Sequence, residues 1–170
     1  MRGTENAVMR RVRKIEALPL PRALRKRLVS FGAGLAVPYL RTSSVHFQSV
    51  APERVTLSLR NRRKVQNHMK SVHASAMFLL AEAATGTVLL ANLPDGALFS
   101  TTRSEVEYRV KAVGALQAVA TLSPEQQRLV REQEKGKLTV PVVLTDAEGK
   151  QPAFFSIEWS WKHRVPTKLP

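Results

Sequence analysis

The chain contains no cysteine. Disulfides, thiolate metal sites and cysteine nucleophiles are excluded together, while the compartment is left open by that absence. Acidic residues are scarce as well, with 13 Asp and Glu against 27 Lys and Arg, which gives a net charge of +14 and a pI near 11.1. Such an excess attracts polyanions, and nucleic acid, acidic lipid, coenzyme A and acyl carrier protein all qualify. The chain lacks a helix-turn-helix, a zinc finger and an aromatic-plus-basic RNA motif, so nucleic acid is supported by charge alone. Internal repeats and low-complexity tracts are missing too. What remains is a 170-residue chain with 44% hydrophobic residues, enough for one domain with a proper core.

The one long apolar run, Ala74 to Leu93, is close to the roughly 20 residues that span a bilayer. Glu82 sits at its centre, where a carboxylate costs about 3 kcal/mol, and Thr85 and Gly86 dilute its hydrophobicity further. A buried core helix is the better reading. The basic N-terminus (Arg10, Arg11, Arg13, Lys14, Arg22, Arg25, Lys26 and Arg27) lacks the apolar stretch and small-residue cleavage site of a secretory signal. A cytoplasmic protein is expected; Glu5 and Glu16 weaken an organellar transit peptide as the alternative.

Residues 5–16 and 21–30 have helical character, separated by Leu18-Pro19-Leu20-Pro21. Val45 and Phe47, then Val55, Leu57 and Leu59, alternate with polar residues at period two around Ala51-Pro52-Glu53, which predicts a hairpin. Past the apolar run, Asn92-Leu93-Pro94-Asp95-Gly96 is a turn, and strand composition follows at Leu98–Val113, Ala115–Leu122, Leu138–Thr145 and Ala153–Trp161. Ser123-Pro124-Glu125-Gln126 opens a polar helix to about Lys135, and Ala147-Glu148-Gly149-Lys150 is a hairpin turn. A helix apolar nearly all round must be covered on nearly all sides, so the expected class is α+β: a curved antiparallel sheet of about six strands wrapped around one long helix. The expected organisation is a basic helical extension over residues 1–34, the sheet-and-helix domain over 35–164 and a tail over 165–170.

Glu82 is the only ionisable side chain between His73 and Leu90. A carboxylate in such surroundings must be paired, protonated or used; a purely structural carboxylate bonded to backbone or hydroxyls is the bland alternative. Asn67-x5-His73-Ala74-Ser75-x6-Glu82 resembles the Asn-x-x-Gly-x-x-His-Gly-Gly-x6-Asp/Glu signature of hotdog-fold acyl-CoA thioesterases of the phenylacetyl-CoA type. Val37-Pro38-Tyr39 and Arg62-Arg63-Lys64-Val65-Gln66-Asn67-His68 resemble a little-characterised bacterial branch of that superfamily, and the resemblance covers about residues 35 to 162. Lys70 stands where the signature often has Gly, and Ala74-Ser75 replaces Gly-Gly. Both departures bear on loop conformation and pocket width. The chemistry survives them in principle, because the residue after the histidine contributes a backbone N–H, which alanine retains.

The resemblance implies a thioester site shared between two subunits. The N–H of Ala74, at a helix N-terminus, would polarise the thioester carbonyl. Glu82 lies nine residues beyond His73, about 13 Å along a helix, so the carboxylate serving that carbonyl would come from a second copy packed antiparallel. Glu82 would act as general base on water or as nucleophile through an anhydride, with Asn67 positioning water or carboxylate and His73 supporting the loop. Thr101, with Ser100 as neighbour, matches a hydroxyl position near the carboxylate. Arg62, Arg63, Lys64 and Lys70 would meet the phosphates of coenzyme A or a carrier's phosphopantetheine. No cofactor beyond the substrate's coenzyme A is implied. His46, His68 and His163 have no metal-ligand spacing, and Trp159 and Trp161 alternate as core or dimer-surface residues. Three functions stand side by side: an acyl-CoA or acyl-carrier thioesterase working as a homodimer or tetramer, a non-catalytic acyl-CoA-binding hotdog protein, and a basic nucleic-acid-binding protein. For the N-terminal helices, a lid, a carrier-protein patch and peripheral contact with acidic lipid remain open.

Overall fold

A computed structural model describes residues 5–163; the tail expected at 165–170 lies outside the described residues. The chain opens with three helices, α1 (Ala7–Glu16), α2 (Arg22–Ala36) and α3 (Pro38–Ser43). Asn6 caps α1 by accepting from the Met9 N–H at 2.9 Å, and its amide donates to the Leu90 and Leu93 carbonyls at 2.6 and 2.7 Å. One buried side chain thereby satisfies the start of one helix and the end of another. Two helices were expected in this extension. The second runs on through Gly32 and Gly34 because Gly34 is where α3 folds back: a Cβ there would lie 2.9 Å from that of Arg41.

The hairpin pairs β1 (Val45–Val50) with β2 (Arg54–Leu59), and β2 pairs in turn with β4 (Leu116–Thr121) and β4 with β6 (Val142–Thr145). A second group pairs β3 (Leu98–Tyr108) and β5 (Lys135–Thr139) on either side of β7 (Ala153–Lys162). Only Val140-Pro141 separates β5 from β6. Val140 donates to Ile157 in one group at 3.1 Å, while the Pro141 carbonyl accepts from Thr121 in the other at 3.2 Å. Lys135–Thr145 is thus a single bent strand; proline, with no N–H to lose, sits at the bend. All pairs are antiparallel, and the strands follow one another as β1-β2-β4-β6/β5-β7-β3, the curved six-strand path expected.

Helix α4 (Ala74–Leu90) lies in the concavity, packed chiefly on β2 and β4. Its Leu80, Ala84, Val88 and Leu89 are fully buried, as are Val55, Leu57, Leu59 and Ala118 opposite. Each such Leu or Val contributes about 1.5–3 kcal/mol through removal from water. This is the hotdog arrangement. The helix is not enclosed on every side, however: Ser75, Phe78, Glu82 and Ala83 stay partly exposed along one face. Trp159 and Trp161 belong to the core, and the Trp159 indole donates to the Thr85 hydroxyl at 3.0 Å. The polar helix α5 (Pro124–Glu132) starts with a complete capping box at Ser123 and Gln126. It stops short of Lys135 because Lys135 and Gly136 are already in β5, where Gly136 admits the Trp161 ring; a Cβ there would lie 2.5 Å from it.

Candidate active site

The segment before α4 is tied by its own side chains. Asn67 Oδ1 accepts from the N–H groups of Met69 at 2.9 Å and Ser71 at 3.2 Å, and the Asn67 N–H donates to the Ser71 carbonyl at 2.9 Å. This is an Asx turn closed on itself. Its geometry puts Lys70 in the left-handed region, φ +57°, the conformation that glycine adopts without cost. The signature's preference for glycine at this position therefore has a backbone cause. Ser71 anchors the loop from below by donating to the Ala112 carbonyl at 2.7 Å.

His73 is the N-cap of α4, its Nδ1 accepting from the Ser75 N–H at 3.1 Å. A ring nitrogen that accepts carries no proton, so the neutral ring is protonated on Nε2. The Ala74 N–H, next in line, has no acceptor among the described residues. An unpaired donor at the start of a long helix is suited to an anionic oxygen.

Glu82 is half-buried on the open face of α4, eight residues beyond Ala74 and hence about 12 Å along the axis. The Thr101 hydroxyl lies 3.4 Å from its Oε1. Ser100, one residue earlier, is exposed. A β-bulge between Thr101 and Arg103 inserts one residue into β3, and the parity of the strand changes there. Phe99 and Thr101 before the bulge and Val106 and Tyr108 after it consequently share the face turned to α4.

Tyr108 is the residue that sequence reasoning missed. Its hydroxyl donates to the Ala74 carbonyl at 3.2 Å, and burial raises its pKa above the ordinary phenol value. Together with Asn67, Met69, Ala74 and Met77 it lines a hollow of about 290 Å³ at the start of α4. Alternation from Thr101 puts Tyr108 on the opposite face; only the bulge brings it round. The structure thus brings Asn67 and Ala74 together around this hollow, with His73 capping the helix beside them, and sets Thr101 against Glu82, as two separate clusters in one chain. Asn67 does not meet Glu82 of the same chain, and its carbonyl oxygen is occupied by the loop.

Arg62, Arg63, Lys64 and Lys70 are exposed on the approach to this loop. Lys64 Nζ donates to the Ser44 hydroxyl at 2.6 Å, and among the described residues none of the four pairs with a carboxylate. No group of three His, Asp or Glu among the described residues is placed to hold a metal. No helix among them is long and apolar enough to cross a membrane.

Residues 25–161 match a protein family described as a domain of unknown function, DUF4442. No protein of curated function matches the chain. Among solved structures, PA5026 of Pseudomonas aeruginosa, a protein of unknown function named a probable thioesterase, aligns with a TM-score of 0.71 at 22% identity, over 86% of this chain and 99% of its own. The structural-genomics protein APC5556 aligns at 0.70 and 27% identity, over 90% and 98%. HI1161 of Haemophilus influenzae, named a thioesterase, aligns at 0.61 and 10% identity, over 77% and 87%. These likenesses establish the hotdog fold.

Proposed function

The chain belongs to the DUF4442 family, and from that premise we propose that it is a thioesterase acting on acyl-CoA or acyl-carrier thioesters, with the site completed by a second copy. The observation that carries this reading is the pair of half-sites in one chain: an unpaired N–H at Ala74 and a half-buried carboxylate at Glu82, about 12 Å apart on one helix. Packing two α4 helices antiparallel on their open faces brings each carboxylate to the other's helix start. The partly exposed Ser75, Phe78 and Ala83 along that face support such a contact, as does the outer edge of β3, which has no partner strand among the described residues.

In this reading the thioester carbonyl accepts a hydrogen bond from the Ala74 N–H, and the negative charge of the tetrahedral intermediate develops on that oxygen. Glu82 of the other copy takes a proton from the attacking water, with the Thr101 hydroxyl fixing the carboxylate's orientation. Collapse of the intermediate expels the coenzyme A or carrier thiolate. In the nucleophilic variant, Glu82 attacks the carbonyl, forms a mixed anhydride, and water then hydrolyses it. Arg62, Arg63, Lys64 and Lys70 supply the charge for the carrier's phosphates.

The test is hydrolysis of a panel of acyl-CoA thioesters by wild type and by Glu82→Ala, whose activity is expected to fall by at least about a hundredfold. Undiminished turnover in the variant sinks the reading. Saturable acyl-CoA binding without turnover in wild type points instead to a binding protein in which Ala74-Ser75 has narrowed the site. In a single turnover in ¹⁸O-labelled water, label recovered in Glu82 identifies the anhydride route, with water having attacked the Glu82 carbonyl carbon.

A further inference from the structure

Helix α2 leaves apolar surface uncovered. Its inner side packs on β1, with Lys26 donating to Gln48 at 2.9 Å and the Ser30 hydroxyl accepting from the Phe47 N–H at 2.9 Å. Its outer side carries Leu24, Leu28, Phe31 and Leu35, spaced four, three and four residues apart and so in one stripe along the helix. Leu24, Phe31 and Leu35 are 40%, 53% and 60% exposed. The stripe continues onto α3, where Tyr39 is 57% exposed and the Arg41 guanidinium lies 5.5 Å from the centre of the Phe31 ring. A soluble surface does not normally cluster large apolar groups in this way.

The charged side chains carried by α2 and α3 are all basic. From Ala17 to Ala81 the only acid is Glu53. Arg27 borders the stripe, and it converges with Arg60, Arg62 and Lys64 on His46, whose imidazole is held below its ordinary pKa first by burial and then by these cations. Among the described residues none of these four, nor Arg22 or Arg41, pairs with a carboxylate.

The occupant of this face must therefore be anionic and apolar at once. A second copy docked on the same face by a two-fold axis would set each cation cluster against its own image. An acidic protein would answer the cations but would need a matching apolar ridge. An anionic bilayer supplies both layers, with phosphates at the level of the arginines and acyl chains beneath them. We propose that the α2–α3 face docks the protein on the surface of an anionic phospholipid bilayer, with Leu24, Phe31 and Leu35 entering the acyl boundary and Arg27 and Arg41 meeting the headgroups. This goes beyond the thioesterase reading and does not rest on it.

The experiment is sedimentation of the full chain with phosphatidylcholine vesicles, with and without phosphatidylserine, in the absence of any thioester. Salt-sensitive pelleting is expected only with phosphatidylserine present. Phe31→Ser with Leu35→Ser is expected to weaken partitioning at least about tenfold, and Arg27→Gln about fivefold. All three side chains are exposed, so thermal melting should be unmoved; should the double variant fail to fold, Leu35→Ser alone carries the test. Failure to pellet, pelleting indifferent to phosphatidylserine, or wild-type partitioning by the apolar variants overturns the proposal. It is likewise overturned if light scattering shows a dimer that the apolar variants abolish, or if a purified acidic carrier protein binds this face while vesicles do not. Because the readout is binding to lipid, thioesterase activity can fail without touching it, and the reverse.

Discussion

The Thr101 hydroxyl lies 3.4 Å from the Glu82 carboxylate, reaching from an edge strand to the central helix. If Glu82 is the base, this contact orients it, and Thr101→Val should lower kcat for acyl-CoA hydrolysis about tenfold with KM little changed. Ser100→Ala, one residue away on the exposed face, should leave both constants alone. Equal effects from the two substitutions would mean that the hydroxyl does not serve the carboxylate.

Lys70 occupies a left-handed backbone conformation, φ +57°. A β-carbon there costs about 1–2 kcal/mol, and glycine's freedom in the unfolded chain returns part of that. Lys70→Gly should therefore stabilise the protein by about 0.5–1 kcal/mol in urea unfolding. It should also raise KM if this lysine meets a substrate phosphate, and unchanged KM would remove it from that role.

His46 should make stability depend on pH. Burial and then Arg60, Arg62, Arg27 and Lys64 place its folded-state pKa below the ordinary 6.5. As pH falls through that value the unfolded chain takes up the proton first, so stability is full above it and declines below it. The urea midpoint, followed from about pH 8 to about pH 5, should fall on the acid side, and His46→Gln should flatten that decline. A midpoint rising on acidification in wild type would count against a lowered pKa at His46.

Gly86 lies under the Trp159 ring, where a Cβ would meet ring carbons at 2.8 and 2.9 Å. The indole is fixed by its bond to Thr85, so it cannot swing aside cheaply. Gly86→Ala should destabilise by about 1–3 kcal/mol despite alanine's better helix propensity, a sign opposite to that expected of an exposed helix. Chemical denaturation decides between the two signs.

These residues also mark how far the sequence could be read. The bounds of α4 and of the first hairpin are written in local composition: an apolar run behind an N-cap histidine, and period-two alternation around Ala51-Pro52-Glu53. The carboxylate stood out for the same reason, being alone in its segment. Tyr108 did not, because one inserted residue near Thr102 reverses the strand's parity and no local pattern announces a bulge. The length of α2 was hidden by Gly32 and Gly34, which lower helix propensity; the need for Gly34 arises only when α3 folds onto it. Lys135 likewise belongs to a strand and not to the helix expected there, because a distant tryptophan must pass over its neighbour Gly136. Contacts between remote segments decided each of these, and composition carries no record of them.

The bent strand through Val140-Pro141 contributes hydrogen bonds to both strand groups. Melting either group strips that shared strand of half its partners and uncovers the helix beneath, so the loss propagates to the other. Amide exchange should accordingly show β4 and β7 opening in a single event, although the sheet is drawn from segments far apart along the chain.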